Sequence, residues 1–96
     1  MVTHSLPYVS VIVPCRNEEA YIARCLDSIL AGDYPREMLE VLVVNGGSGD
    51  RTPQILADYA ATHRGVVALE NPQGTTPAAL NIGVRAASGG IIVRMD

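Results

Sequence analysis

Four short apolar runs recur along the chain, and three of them lead through a polar junction into a segment whose apolar residues repeat with helical spacing. The first run contains Val9, Val11, Ile12 and Val13, β-branched side chains that suit a covered, pleated sheet. Pro14 has no N–H for a ladder, so a strand over residues 8–13 is expected to stop there. Ile22, Cys25, Leu26, Ile29 and Leu30 then form one stripe and predict a helix over residues 18–31. Asn17 would cap this helix, with Glu18 and Glu19 on the positive end of its dipole. Gly32, Asp33, Tyr34 and Pro35 end it.

The pattern then repeats. A second buried strand is expected over residues 40–44, followed by a loop over 45–50 with glycines at 46, 47 and 49. A helix over 52–64, capped by Asp50 or Thr52, would turn Ile55, Leu56, Tyr59 and Ala60 inward. A third strand occupies residues 66–70, and Asn71, Pro72, Gln73, Gly74 and Thr75 form a turn-rich loop. Thr76 as cap and Pro77 in the first helical position open a third helix, with Leu80, Val84 and Ala87 on its core face. Gly83 in that helix permits close packing on the sheet. Gly89 and Gly90 stop it, and a fourth strand follows at residues 91–93. Residues 1–7 are a polar lead-in.

Strands alternating with helices, joined by right-handed crossovers, give an α/β fold: an open, Rossmann-like parallel sheet with expected strand order 3-2-1-4. Ligands in such sheets bind outside the carboxyl ends of the strands, where the order reverses. Residues 14–18, residues 45–50 and Asp96 are therefore expected to converge on one crevice.

Composition narrows the chemistry. The 96 residues make one small domain, and because the four aromatic residues are all Tyr, the core must be aliphatic. Net charge is −3 and the chain has no Lys, so neither a basic nucleic-acid surface nor a Walker A lysine is present. After the second strand, Gly47 and Gly49 are followed by Thr52 where a dinucleotide fingerprint needs its third glycine. Cys15 and Cys25 lack the spacing of a zinc or redox motif and read as free thiols of a reducing cytoplasm. No apolar run approaches the roughly 18 residues of a membrane span.

Individual residues leave alternatives open. Residues 46–52 either hold an anion on backbone N–H groups or make a tight turn. Asp96, a carboxylate at the end of an apolar strand, either holds Mg²⁺ or Mn²⁺ against a diphosphate or starts a surface turn. Arg16 either stacks on a base or pairs with phosphate, or is an ordinary solvated arginine. Glu18 reaches a ribose or base, or serves the helix dipole alone. Asn45 can pair with a uracil edge, and is equally at home in a turn before glycines. His4 and His63 are persuasive neither as ligands nor as bases.

Three segments together resemble the amino-terminal half of a family 2 glycosyltransferase, an inverting enzyme of the nucleotide-diphospho-sugar transferase fold. The segments are Val-Ile-Val-Pro-Cys-Arg-Asn-Glu ending at Glu18, Glu-Val-Leu-Val-Val-Asn-Gly-Gly-Ser-Gly-Asp-Arg-Thr ending at Thr52, and Ala-Leu-Asn-Ile-Gly ending at Gly83. Glu70, Asn71 and Pro72, with Arg94, Met95 and Asp96, are similar to the branch that includes bacterial exopolysaccharide transferases of the succinoglycan type. The resemblance implies that Pro14, Arg16, Glu18, Asn45, Gly46, Ser48 and Asp96 line a nucleotide-sugar site. It implies a UDP-sugar donor, a carbohydrate or lipid-linked acceptor, and a divalent metal, Mg²⁺ or Mn²⁺, held through Asp96 as the first aspartate of an Asp-x-Asp pattern.

Two departures from the family pattern stand out. The family usually has Asp where this chain has Asn45, and often a second acid at Gly46. The acceptor half and the general base would follow residue 96, so these 96 residues contain no catalytic residue and are expected to be inactive on their own. A cytoplasmic location is expected, with any membrane association arising from other segments. A sugar-nucleotidyltransferase would want an Arg- or Lys-bearing glycine loop after strand one, and a flavodoxin-like binding module an acidic cluster and a fifth strand. Strand one instead ends in Pro-Cys-Arg-Asn.

Overall fold

Alternation of side-chain direction along the two central strands, β1 (Val9–Cys15) and β2 (Leu39–Asn45), divides the core in two. In the computed structural model, which describes residues 6–95, Val9, Val11, Val13, Leu39, Val41 and Val43 face one side. There they meet Ile22 and Leu26 of α1 (Ile22–Leu30) and Leu56 of α2 (Thr52–Thr62). Ile12, Leu42 and Val44 face the other side and meet Ala79 of α3 (Thr76–Ala86). β3 (Val66–Glu70) and β4 (Ile91–Arg94) complete a four-stranded, all-parallel sheet in the order β3-β2-β1-β4, as expected from the sequence.

Local signals misplaced several boundaries. β1 does not stop at Pro14 but continues to Cys15. The Ile12 carbonyl accepts from Met95 on the β4 side and the Cys15 carbonyl from Gly46 on the β2 side. Backbone groups alternate sides along a strand, so Pro14 turns its missing N–H toward β4, whose pairing with β1 ends at Ile12. α1 starts at Ile22 rather than at residue 18, and Asn17 does not cap it. A 3₁₀ turn (Arg36–Met38) precedes β2. α3 is capped by Thr75, whose hydroxyl accepts from Ala78 N–H, not by Thr76.

The buried faces of α2 and α3 also differ from those expected. Ala60 is exposed, and Val84 is 51% exposed, while Ala79 and Gly83 are the buried residues of α3. A Cβ built on Gly83 would lie 2.5 Å from Ile12 Cγ2, so α3 sits on the sheet through its smallest side chains and Val84 falls outside the contact.

At the amino-terminal end of the sheet, buried Glu40 accepts from the Ser10 hydroxyl (2.5 Å) and from Ser88 N–H (2.6 Å). Ser10 Oγ in turn accepts from Gly89 N–H (2.8 Å). These bonds tie the α3–β4 junction to β1 and β2. Ser10→Ala leaves both Glu40 and Gly89 one partner short, and is expected to destabilise the fold by about 1–3 kcal/mol in urea unfolding. An unchanged unfolding midpoint would contradict this role.

Candidate functional site

The carboxyl ends of β1 and β2 carry two junctions that hydrogen bonds stitch together. Asn17 adopts a left-handed backbone (φ 53°). Its N–H donates to Ser48 Oγ (2.8 Å), and its side-chain oxygen accepts from Gly49 N–H (2.7 Å). Glu18 N–H donates to Thr52 Oγ1 (3.0 Å) and Glu19 N–H to Asp50 Oδ2 (3.1 Å). The junction residues thus bond across to the neighbouring loop, which explains why the helix begins a turn late and why Asn17 is unavailable as its cap. Hydrogen bonding from the Thr52 hydroxyl, then from the backbone N–H groups of Thr52 and Glu19, holds the Asp50 carboxyl below its usual range.

The same bonds occupy several donors of residues 46–52. Gly46 N–H goes to the Cys15 carbonyl, Ser48 N–H to Asn45 Oδ1, Gly49 N–H to Asn17, and Thr52 N–H to Asp50. These four donors serve protein acceptors and are not free for an anion. At the start of α3, Pro77 has no N–H, while those of Ala78 and Ala79 are taken by the Thr75 hydroxyl and carbonyl.

Beside these loops lies a cleft of about 270 Å³ lined by Pro14, Cys15, Arg16, Glu18, Gly46, Asn71, Gly74, Thr75, Thr76 and Ala79. Of the residues expected at the site, it brings together Pro14, Arg16, Glu18 and Gly46. Asn45 and Ser48 are not among its lining residues. Asn45 is 2% exposed, its oxygen accepting from Ser48 N–H and Oγ and its nitrogen donating to Glu70 (3.3 Å). The pairing with a uracil edge expected of Asn45 thus meets a carboxamide whose oxygen and nitrogen already have partners. Asp96 lies outside the described residues, and with it the expected metal contact. Among the described residues no group of three or more His, Cys, Asp or Glu could hold a metal ion.

Sequence reasoning missed the β3–α3 wall. Asn71, Gly74, Thr75 and Thr76 sit at a third strand-to-helix junction, and the rule that pointed to the first two junctions applies equally to this one. The two loops are in contact, a Cβ at Gly46 meeting Gly74 Cα and its carbonyl at 3.4 Å, an ordinary packing distance, and Gly74 has φ +73°, which favours glycine. Among the described lining residues only Arg16 carries positive charge, and its guanidinium lies over Gly74.

Cys15 in the cleft wall is a poor nucleophile. Burial first, then the charges of Glu18, Asp50, Cys25 and Glu70, push its thiol up from 9.0 to about 11. Below pH 9 its thiolate population is lower than that of an ordinary thiol by about 100-fold, and alkylation at pH 8 should be slower by the same factor, read by peptide mass spectrometry. The unfolded thiol loses its proton from pH 9 and the native one only near 11. Protonated Cys15 therefore favours the folded state fully below pH 9, and that contribution disappears as pH rises through 11. Alkylation at the rate of an unfolded peptide would contradict this burial.

Comparison with known proteins bears on this arrangement. A family model described as Glycosyl transferase family 2 matches residues 10–96. Glycosyltransferase AglE of Haloferax volcanii is 37% identical over 95 residues, covering 98% of this chain and 31% of that protein. The uncharacterized glycosyltransferase EpsJ of Bacillus subtilis is 35% identical over 91 residues, covering 95% of this chain and 26% of that protein. The chain thus spans less than a third of the length of these relatives. Among solved structures, mannosyltransferase PcManGT from Pyrobaculum calidifontis, in complex with GDP-Man and Mn²⁺, superposes with a TM-score of 0.83 at 40% identity, covering 90% of this chain and 26% of that one. S. aureus TarS in complex with UDP-GlcNAc gives 0.80 at 30% identity, covering 92% and 26%.

Proposed function

This chain belongs to glycosyl transferase family 2, and on that premise we propose that its cleft receives the nucleotide of a UDP-sugar donor for an inverting hexosyltransferase. The observation that carries the reading is that Pro14, Arg16, Glu18 and Gly46, brought from two separate junctions, line one cleft at the carboxyl ends of β1 and β2. Arg16 pairs with the diphosphate, Glu18 with a ribose hydroxyl, and Asn45 and Ser48 keep the β2 loop in shape behind them. The acceptor is a carbohydrate or a lipid-linked saccharide, as in the synthesis of an exopolysaccharide. Residues 1–96 form the donor-binding part of a larger transferase domain, work in the cytoplasm, and transfer no sugar on their own. Among the described residues no helix is long and apolar enough to cross a membrane.

A divalent metal held through Asp96 would supply positive charge against the departing diphosphate. A GDP-sugar is the second reading, favoured by the 40% identical neighbour in complex with GDP-Man. Calorimetric titration of the intact protein with UDP and then GDP, with and without Mn²⁺, tests both. Metal-dependent binding of UDP in preference to GDP is the expected result. Preference for GDP would replace the donor, and binding of neither nucleotide by folded protein would remove the donor-site reading.

A further inference from the structure

Arg16 and Glu18 line the cleft, and Asn17 between them does not. Asn17 nevertheless carries two constraints that its neighbours lack. Among the described residues other than glycine it alone has a positive φ, 53°, a conformation that asparagine tolerates better than most side chains. Its N–H donates to Ser48 Oγ (2.8 Å) and its side-chain oxygen accepts from Gly49 N–H (2.7 Å), so both ends of the residue bond to the β2 loop. Ser48 Oγ in turn donates to Oδ1 of buried Asn45 (2.5 Å), which carries the anchor into the core. The two peptide groups that flank Arg16 are therefore both tied to that loop. On one side the Cys15 carbonyl accepts from Gly46 N–H (2.8 Å), and on the other Asn17 N–H reaches Ser48. Fixing both flanking peptide planes fixes the direction of the Arg16 Cα–Cβ bond. The guanidinium crosses to the opposite wall, 3.8 Å from where a Cβ on Gly74 would stand. Glu18 is held separately, its N–H on Thr52 Oγ1 (3.0 Å).

We propose that Asn17 is a positioning residue: it aims the Arg16 guanidinium at the donor's diphosphate without touching the donor itself. This inference rests on the donor-site reading and deepens it. A left-handed residue outside glycine persists where its surroundings hold it there, and here the long-range bonds that hold it also hold the charged side chain next to it. Losing either the left-handed backbone or the bond to Gly49 frees the carboxyl-terminal side of Arg16. Its exposed, rotamer-rich side chain must then be ordered when the ligand arrives, and affinity falls. A ligand with a diphosphate registers that loss. A nucleoside, which has no group for Arg16 to meet, does not, because Glu18 keeps its own tie to Thr52.

The test is a double-mutant cycle on the intact protein with Mn²⁺. Wild type, Arg16→Ala, Asn17→Ala and the pair are titrated calorimetrically with UDP and uridine, or with GDP and guanosine should GDP bind in its place. Asn17→Ala should weaken UDP binding about 10-fold and uridine binding by less than about 2-fold. Asn17→Gly, which accepts the left-handed backbone but lacks the side-chain bond, should weaken UDP binding about 3-fold. With Arg16 already replaced by alanine, neither change should alter UDP affinity by more than about 1.5-fold, since no guanidinium remains to be aimed. Three results overturn the assignment to Asn17: equal UDP losses with and without Arg16, uridine losses that match those of UDP, or unchanged UDP affinity in both Asn17 variants. UDP binding by the wild type then leaves the donor site standing, whereas absence of UDP and GDP binding by folded wild type removes both. Should Asn17→Ala fail to fold, the cycle with Asn17→Gly decides: a loss that vanishes in the Arg16→Ala background supports the role, and one that persists overturns it.

Discussion

Gly83→Val is expected to destabilise the protein by about 3 kcal/mol, a large share of the 5–15 kcal/mol typical of a domain. A Cβ at this position would lie 2.5 Å from Ile12 Cγ2 and 2.9 Å from its Cδ1 and Cγ1. Ile12 is 1% exposed and packed among Leu42, Val44 and Ala79, so it has no free space into which to retract. The helix must therefore lift from the sheet. Because Asn71 to Thr76 lead directly into α3, one wall of the cleft would move with it. Gly83→Ala should cost less, since replacing a mid-helix glycine returns about 1 kcal/mol of helix propensity against the overpacking. If steric conflict with Ile12 is the cause, combining Gly83→Ala with Ile12→Val should destabilise less than the sum of the two single changes, by more than about 0.5 kcal/mol in urea unfolding. Strict additivity would show that the conflict lies elsewhere.

The sheet was legible because its signal is dense. Each strand announces itself by consecutive β-branched residues, and a parallel α/β alternation leaves few topologies, so the order β3-β2-β1-β4 followed from the element pattern. The helix faces were less so. A stripe such as Leu80, Val84 and Ala87 says which residues share a face, but not where along that face the sheet touches; here the approach at Gly83 shifts the contact line to Ala79 and Gly83 and leaves Val84 outside. Caps failed for another reason. Asn17 has the chemistry of a cap, yet its bonds go to Ser48 and Gly49, more than thirty residues away, and local rules contain no term for such partners. Asn71 was passed over because an asparagine before proline reads as turn chemistry, and its unpaired oxygen becomes visible only once every other group on the residue has been given its partner.

Arg16→Ala is expected to weaken UDP binding by about 10- to 100-fold while leaving uridine binding nearly unchanged. N–H groups of the β2 loop at Gly46, Ser48, Gly49 and Thr52 are bonded within the protein. In the first turn of α3, Pro77 has no N–H and those of Ala78 and Ala79 go to Thr75. Glu18 is acidic, and the buried Asn71 oxygen is an acceptor. Among the described lining residues, the positive charge available to a diphosphate is that of the Arg16 guanidinium. Since Arg16 is exposed, its contribution should shrink as salt rises, and the gap between wild type and Arg16→Ala should be widest at low ionic strength. Arg16→Lys should fall between the two, because an ammonium keeps the charge but not the planar fork that meets two oxygens at once. The comparison with uridine makes the test specific. Equal losses for UDP and uridine would mean that Arg16 supports the base or the shape of the loop, and an unchanged UDP affinity would mean that the diphosphate is held by groups other than Arg16.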